Sequence, residues 1–266
     1  MNNIFYKNII IIMDLNVIYN EDCITTMDNR LEKNSVDLVI TSPPYNMTKR
    51  KGGYADKHQR YDDYQDWKNE NEYLKWTINI FNLYDKIIKK DRVVIYNFSY
   101  SIENPSLPYK VVSSIIENTN WTIADTIIWK KSNAIPHPAS YNRLNRIVEF
   151  IWIFCRKDEI KTFKMFKNIT KISPKGQKYY EVIDNFIESK NNDGSCSLNK
   201  ATFSSKLIEK LLNIYGKEGD IIYDSFMGTG TTAVASLNKK CYYIGSEISK
   251  KQCEYSQNRI KKTLKN

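Results

Sequence analysis

Histidine is nearly missing from this chain. His58 and His137 are the only two among 266 residues. The five cysteines, Cys23, Cys155, Cys196, Cys241 and Cys253, show no Cys-x-x-Cys spacing and are odd in number. No grouping of Cys, His and acids has metal-ligand spacing, so neither a structural nor a catalytic metal is expected. Free thiols in a reducing compartment are the simplest reading of the cysteines. Long apolar runs are lacking as well. The run Ile9–Met13 is too short for a signal h-region, and nowhere do about 18 apolar residues occur together. The sequence therefore excludes a membrane-spanning helix and points to a cytoplasmic protein, or a nuclear one in a eukaryotic host. What the chain does have is base. Lysine and arginine number 40 against 30 acids, with a pI of about 9.1. That excess favours a polyanionic partner, although Lys, Asn and Ile are enriched together in a way that coding bias alone can produce.

Short apolar runs alternate with helical stretches. Strands are expected at Leu15–Tyr19, Val36–Ile40, Arg92–Phe98, Thr122–Trp129, Arg146–Phe154, Asp220–Tyr223 and Cys241–Gly245. Most are continuous rather than alternating, the pattern of strands covered on both faces of a parallel sheet. Helices are expected at about 22–31, 67–89, 107–118, 203–215, 231–238 and 249–263. The alternation predicts a doubly wound, mostly parallel α/β sheet in one domain covering 1–266. Residues 1–13 read as a disordered extension. Three stretches lack periodicity: 46–66, 130–145 and 157–200. Long irregular segments in a compact domain are usually functional or disordered.

Two segments carry chemistry. The first follows the strand ending at Asp224. Ser225-Phe-Met-Gly-Thr-Gly230 is a tight turn, and Thr231 and Thr232 open a helix. Glycines here let a ligand approach backbone amides. Asp224 is placed to accept from an ammonium group. Glu247, ending the next strand roughly 20 residues on, is placed to bind ribose hydroxyls. The turn is not a phosphate-binding P-loop, because no Gly-Lys-Ser/Thr follows, and threonines replace the third glycine of the dinucleotide fingerprint.

The second segment is Thr41-Ser-Pro-Pro-Tyr45, directly after the strand Val36–Ile40. A Pro-Pro pair alone would be a strand terminator. Here the prolines fix φ and remove donors, so their carbonyls project as acceptors from a stiff loop. Ser42 and the Pro43 carbonyl can accept both hydrogens of a base amino group and aim its lone pair. Pro44 stiffens the loop, and Tyr45 offers a ring to stack on an extruded base.

Together these motifs resemble the amino-methylating DNA methyltransferases, N4-cytosine and N6-adenine. The catalytic motif precedes the cofactor motif, as in the circularly permuted β-group of that family. The resemblance spans residues 14–263. It implies a seven-stranded sheet with one antiparallel strand near an edge, at Arg146–Phe154, and S-adenosylmethionine as cofactor. It implies that Asp22, in Asn20-Glu-Asp-Cys23, bonds the cofactor's adenine; Asn20-Glu21 departs from the family's pattern. It also adds Thr41, Phe226, Gly228, Gly230, Thr231 and Thr232 to the cofactor set. Phe203 and Ser204, in Ala201-Thr-Phe-Ser204, would contact the methionine part, with serine standing where the family has proline. Arg146–Arg156 resembles the family's later strand motif, Val148 replacing its usual His before Glu149. The partner implied is double-stranded DNA, met by Lys49, Arg50, Lys51 and Arg60 after the catalytic loop and by a target-recognition insertion at about 157–200. A restriction endonuclease partner and a homodimer stay open. Serine at the head of the tetrapeptide favours cytosine, with adenine the alternative. Two rivals compete with this reading: an RNA or protein-glutamine amino methyltransferase, whose motif order differs, and a catalytically dead DNA-binding subunit, which intact motifs argue against.

Overall fold

The computed structural model describes residues 13–46, 68–100, 104–134, 141–142, 144–194, 198 and 202–265. Lys49, Arg50, Lys51 and Arg60, and all of 1–12, lie outside the described residues. Met13, at the edge of the expected extension, is partly buried against the main core.

The chain runs β1 (Val17–Tyr19), α1 (Cys23–Asn29), β2 (Leu38–Thr41), α2 (Glu70–Ile87), β3 (Val94–Asn97), α3 (Leu107–Asn118), β4 (Trp121–Lys131), β5 (Val148–Arg156), β6 (Ile169–Ile172), β7 (Lys178–Tyr180), β8 (Phe186–Ser189), α4 (Ser205–Tyr215), β9 (Ile221–Asp224), α5 (Thr231–Asn238), β10 (Tyr242–Ser246) and α6 (Lys250–Thr263). The main sheet has the order β1-β10-β9-β2-β3-β5-β4-β8. Its strands are parallel except β5, which is antiparallel to both neighbours.

The apolar runs are continuous because both faces are covered. In β3, Val94 and Tyr96 join a core with α1, α2 and α3, while Ile95 joins another with α4 and α5. Helix α2 shows how the pattern works. Asn69 caps it, its side chain accepting from the Asn71 N–H, and Glu70 and Glu72 lie in its first turn, where they oppose the helix dipole. Tyr73, Thr77, Ile80, Phe81, Tyr84 and Ile87 then fall on one buried stripe. At the end of the sheet opposite the Ser42–Tyr45 loop, buried Arg92 pairs with Asp220 and with Asp37, joining the starts of β2, β3 and β9.

Two expectations are corrected. The sheet has eight strands rather than seven. The additional one, β8, lies inside the segment 157–200 and pairs parallel with β4 at the edge, where Trp129 Nε1 donates to Ser189 Oγ at 2.9 Å. The same segment forms the hairpin β6–β7, closed through Gly176 at φ +82°. The antiparallel strand begins at Val148 rather than Arg146 and stands third from the edge, between β3 and β4.

Candidate active site

Strands β2 and β9 are parallel neighbours, with Leu38 opposite Ile222 and Val39 opposite Tyr223. Their carboxyl ends therefore coincide, and the Ser42–Tyr45 loop and the glycine turn leave the sheet side by side. Beyond β9 the chain winds one way to β10 and β1; beyond β2 it winds the other way to β3. Crevices at such a reversal are where open α/β sheets bind ligands.

A cleft sits there. Ser42 and Pro44 line it from the loop after β2, and Phe226, Gly228 and Thr231 line it from the turn after β9. Asp22 enters from the start of α1, Glu247 from the end of β10, and Phe203 from the segment before α4. Eight of the expected residues thus share one cavity. Glu247 is pre-set: its carboxylate accepts from the Gly228 N–H at 2.8 Å and the Ser249 N–H at 2.8 Å. Asp22 has two uses, lining the cleft while its Oδ1 accepts from the Ile24 N–H at 2.8 Å to cap α1.

The structure gives the other expected residues different positions. Asp224 is fully buried beneath the cleft and absent from its wall. Its Oδ1 accepts from Thr41 Oγ1 at 2.7 Å and from the Phe226 N–H at 3.0 Å, and its Oδ2 from Thr232 Oγ1 at 2.5 Å. Burial is the main cause that lifts its carboxyl to about 6. Asp224, Thr41 and Thr232 thus tie the end of β2 to the glycine turn. Gly230 is also set back. At φ +80° its missing Cβ would stand 2.7 Å from Ser256 Cβ, so glycine is needed here for the close approach of α6. Ser204 is turned inward as the cap of α4, accepting from the Leu207 N–H at 3.4 Å. Pro43 is buried, and Tyr45 lies outside the cleft lining, its ring edge-on to Phe98 with centroids 5.1 Å apart.

Several lining residues were not foreseen. Lys68 and Trp76 come from α2 and its approach. Trp76 meets Phe226 at 5.5 Å, with Lys68 Nζ 5.9 Å from the indole centre. Tyr73, one turn earlier, donates its hydroxyl to the Pro44 carbonyl at 2.6 Å and so props the loop. Glu21 and Cys23 flank Asp22 in the wall. Burial raises the Cys23 thiol far above its ordinary value, which keeps it protonated and unsuited to nucleophilic work. Arg259 of α6 braces the far wall, donating to Thr231 Oγ1 at 3.0 Å and pairing with Asp193. On α2 the only available signal was an amphipathic pattern, which reads as core. Among the described residues no His/Cys/Asp/Glu group could hold a metal ion, and no helix is long and apolar enough to cross a membrane.

Known proteins resemble this chain in sequence and in fold. The type II methyltransferase M.BglII of Bacillus subtilis is 27% identical over 259 residues, covering 89% of this chain and 66% of its own. The orphan methyltransferase M.BamHII of Bacillus amyloliquefaciens is 27% identical over 259 residues, covering 85% of this chain and 89% of its own. Among solved structures, the cytosine-N4-specific PvuII DNA methyltransferase superposes with a TM-score of 0.70 at 19% identity, covering 95% of this chain and 91% of that one. The complex of M1.HpyAVI with S-adenosylmethionine gives 0.58 at 22% identity, covering 91% and 98%. The model of the DNA methylase family, the N6/N4 methyltransferases, matches residues 36–258, a span that holds both motifs and most of the cleft; this chain belongs to that family.

Proposed function

We propose that the chain transfers a methyl group from S-adenosylmethionine to the exocyclic amino group of a base extruded from double-stranded DNA, with cytosine N4 the favoured target. The observation that carries this reading is that Ser42 and Pro44 open into the same cleft as Asp22, Phe226, Gly228 and Glu247. A ligand held by the second set is within reach of a group held by the first.

The cleft's donor set fits the cofactor. S-adenosylmethionine has two cationic centres, a carboxylate, a ribose and an adenine. The wall offers Glu21, Asp22 and Glu247 for cations and hydroxyls, Lys68 as a cation facing a carboxylate, and Trp76 with Phe226 as an aromatic surface. Glu247, already oriented by two backbone N–H groups, would receive the ribose hydroxyls. When bound, the cofactor supplies an electrophilic methyl group. The chain's own part is positioning. Ser42 Oγ and the Pro43 carbonyl would accept the amino hydrogens, and neither has an assigned hydrogen-bond partner among the described residues. That leaves the nitrogen lone pair aimed into the cleft. Fixed alignment of this kind can remove about 7–11 kcal/mol of a barrier without a covalent nucleophile.

The cytosine-N4 specificity of the PvuII enzyme supports cytosine, and the complexes of M1.HpyAVI and of TTHA0409 with S-adenosylmethionine support the cofactor. For DNA, the segment 157–200 contributes the β6–β7 hairpin, with Lys171, Lys175 and Lys178 exposed beside Tyr179 and Tyr180. A basic two-stranded ribbon matches the width of a major groove. Base-resolved methylation mapping of DNA from cells expressing the chain tests the whole reading. One short motif carrying N4-methylcytosine is expected. N6-methyladenine there would overturn the choice of base, and absence of any new modified base, in cells and with purified protein, would overturn the enzyme.

A further inference from the structure

A stacking tyrosine needs only its ring, because every base presents a π-face to an aromatic partner. The hydroxyl of Tyr45 is thus superfluous for stacking, and what it touches shows its use. It donates to Glu149 Oε2 at 3.0 Å and lies 3.4 Å from the Asn97 carbonyl. Glu149 stands near the start of β5 and is mostly sheltered, its side chain 18% exposed. The same Oε2 accepts from Asn97 Nδ2 at 3.1 Å, and Oε1 pairs with Lys131 Nζ. One carboxylate thus gathers donors from the end of β3, the end of β4 and the catalytic loop. Asn97 is itself held, its Nδ2 also reaching the Phe150 carbonyl at 3.2 Å.

We infer that Glu149 is a positioning residue for base capture, acting through the Tyr45 hydroxyl. This rests on the proposed role of Ser42–Tyr45. A tyrosine side chain turns about two bonds. Edge contact with Phe98 restrains it from one side. The bond to the Glu149 carboxylate, itself paired with Lys131, restrains the other end, and charge-assisted bonds are about twice as strong as neutral ones. With both, the ring plane is set before a base arrives, so capture does not have to order it. Lys131 and Asn97 do for Glu149 what Glu149 does for Tyr45: they fix the carboxylate's plane. A purely structural account makes a different claim, that Glu149 serves only to neutralise Lys131 and that Tyr45 is incidental.

A double-mutant cycle on the full chain separates the two. Tyr45→Phe, Glu149→Gln, Glu149→Ala and the Tyr45→Phe/Glu149→Gln pair would be assayed by single-turnover methyl transfer. The substrates are labelled S-adenosylmethionine and unmodified plasmid DNA. Tyr45→Phe and Glu149→Ala should each slow transfer about tenfold, the size expected for one charge-assisted hydrogen bond. Glu149→Gln, which keeps an acceptor oxygen and the side-chain shape, should recover part of the loss and carries the test if Glu149→Ala fails to fold. Cofactor affinity should not change. The double variant should be no slower than Tyr45→Phe, because both changes remove the same bond. Multiplying losses in the double variant would overturn the inference. So would a wild-type rate in Tyr45→Phe, or a Glu149→Gln deficit that only tracks its unfolded fraction. A wild-type chain that transfers no methyl group would overturn the underlying reading, and this inference with it.

Discussion

Removing the Asp224 carboxylate tests whether this acid holds a ligand or holds the site together. In Asp224→Ala, Thr41 Oγ1, Thr232 Oγ1 and the Phe226 N–H lose their common acceptor, and both threonines are fully buried. Each buried donor left unpaired costs about 1–3 kcal/mol. The two hydroxyls can rotate about their C–O bonds, while the Phe226 amide is fixed by the turn. The net loss is then about 2–4 kcal/mol. In a domain of this size each kilocalorie moves the melting midpoint by about 2–4 °C, so a drop of roughly 5–15 °C is expected. Affinity for S-adenosylmethionine should fall too, because Phe226 and Gly228 belong to the turn that Asp224 steadies. Calorimetric unfolding and cofactor titration on one preparation measure both quantities. An unchanged midpoint with at least tenfold weaker binding would refute the tethering role and place the carboxylate in direct contact with the cofactor.

Three further outcomes are expected. Burial lifts Asp224 to about 6 from an ordinary 3.8, so the folded chain holds that proton more tightly than the unfolded chain. Its contribution to stability is complete below pH 3.8, declines as pH rises through about 6, and changes by something on the order of 3 kcal/mol. Urea titrations of wild type and Asp224→Asn across this range should therefore converge or cross, and a constant offset between them would contradict the assignment. Ser42→Ala removes an acceptor without adding bulk, so single-turnover methyl transfer should slow about 10–100-fold while the melting midpoint and cofactor affinity stay at wild-type values; a normal rate would defeat the proposed role. Replacing Lys49, Arg50 and Lys51 with alanine should flatten the plot of log DNA affinity against log salt by about 0.9 for each phosphate no longer neutralised, and an unaltered slope would exclude that stretch from binding phosphate.

The parts of the fold legible in the sequence are those whose residues are covered on both sides. Strands β2, β3, β9 and β10 appear as unbroken apolar runs because helices lie against each face. β8 is harder to see because it is four residues long with only Ile187 and Ser189 turned inward. The β6–β7 hairpin is exposed along its length, so no burial pattern marks it. For the site, the motifs locate the cleft but not its depth. A strand–glycine–helix signature shows where a turn occurs, not which of its side chains point outward. Gly228 and Thr231 face the cleft, whereas Asp224 and Thr232 face the sheet's end beneath it. Trp76 and Tyr73 are hidden for the opposite reason: large aromatics on an amphipathic helix carry no mark to separate a ligand wall from core.

The pairing of β2 with β9 also sets a timetable. Thr41 and Asp224 are 183 positions apart in the chain yet share a hydrogen bond. At about 5–20 residues per second on a ribosome, the catalytic loop waits roughly ten to forty seconds for its anchor. β1 waits longer still, since its neighbour in the sheet is β10. Through that interval Ser42–Tyr45 sits at the end of an edge strand with no cleft beside it. The two halves of the cavity come into being together, only after β9 has been made. Contacts of such long range also slow folding. A nascent chain therefore lacks the cleft while it is being made, and the two motifs meet only when β9 joins the sheet.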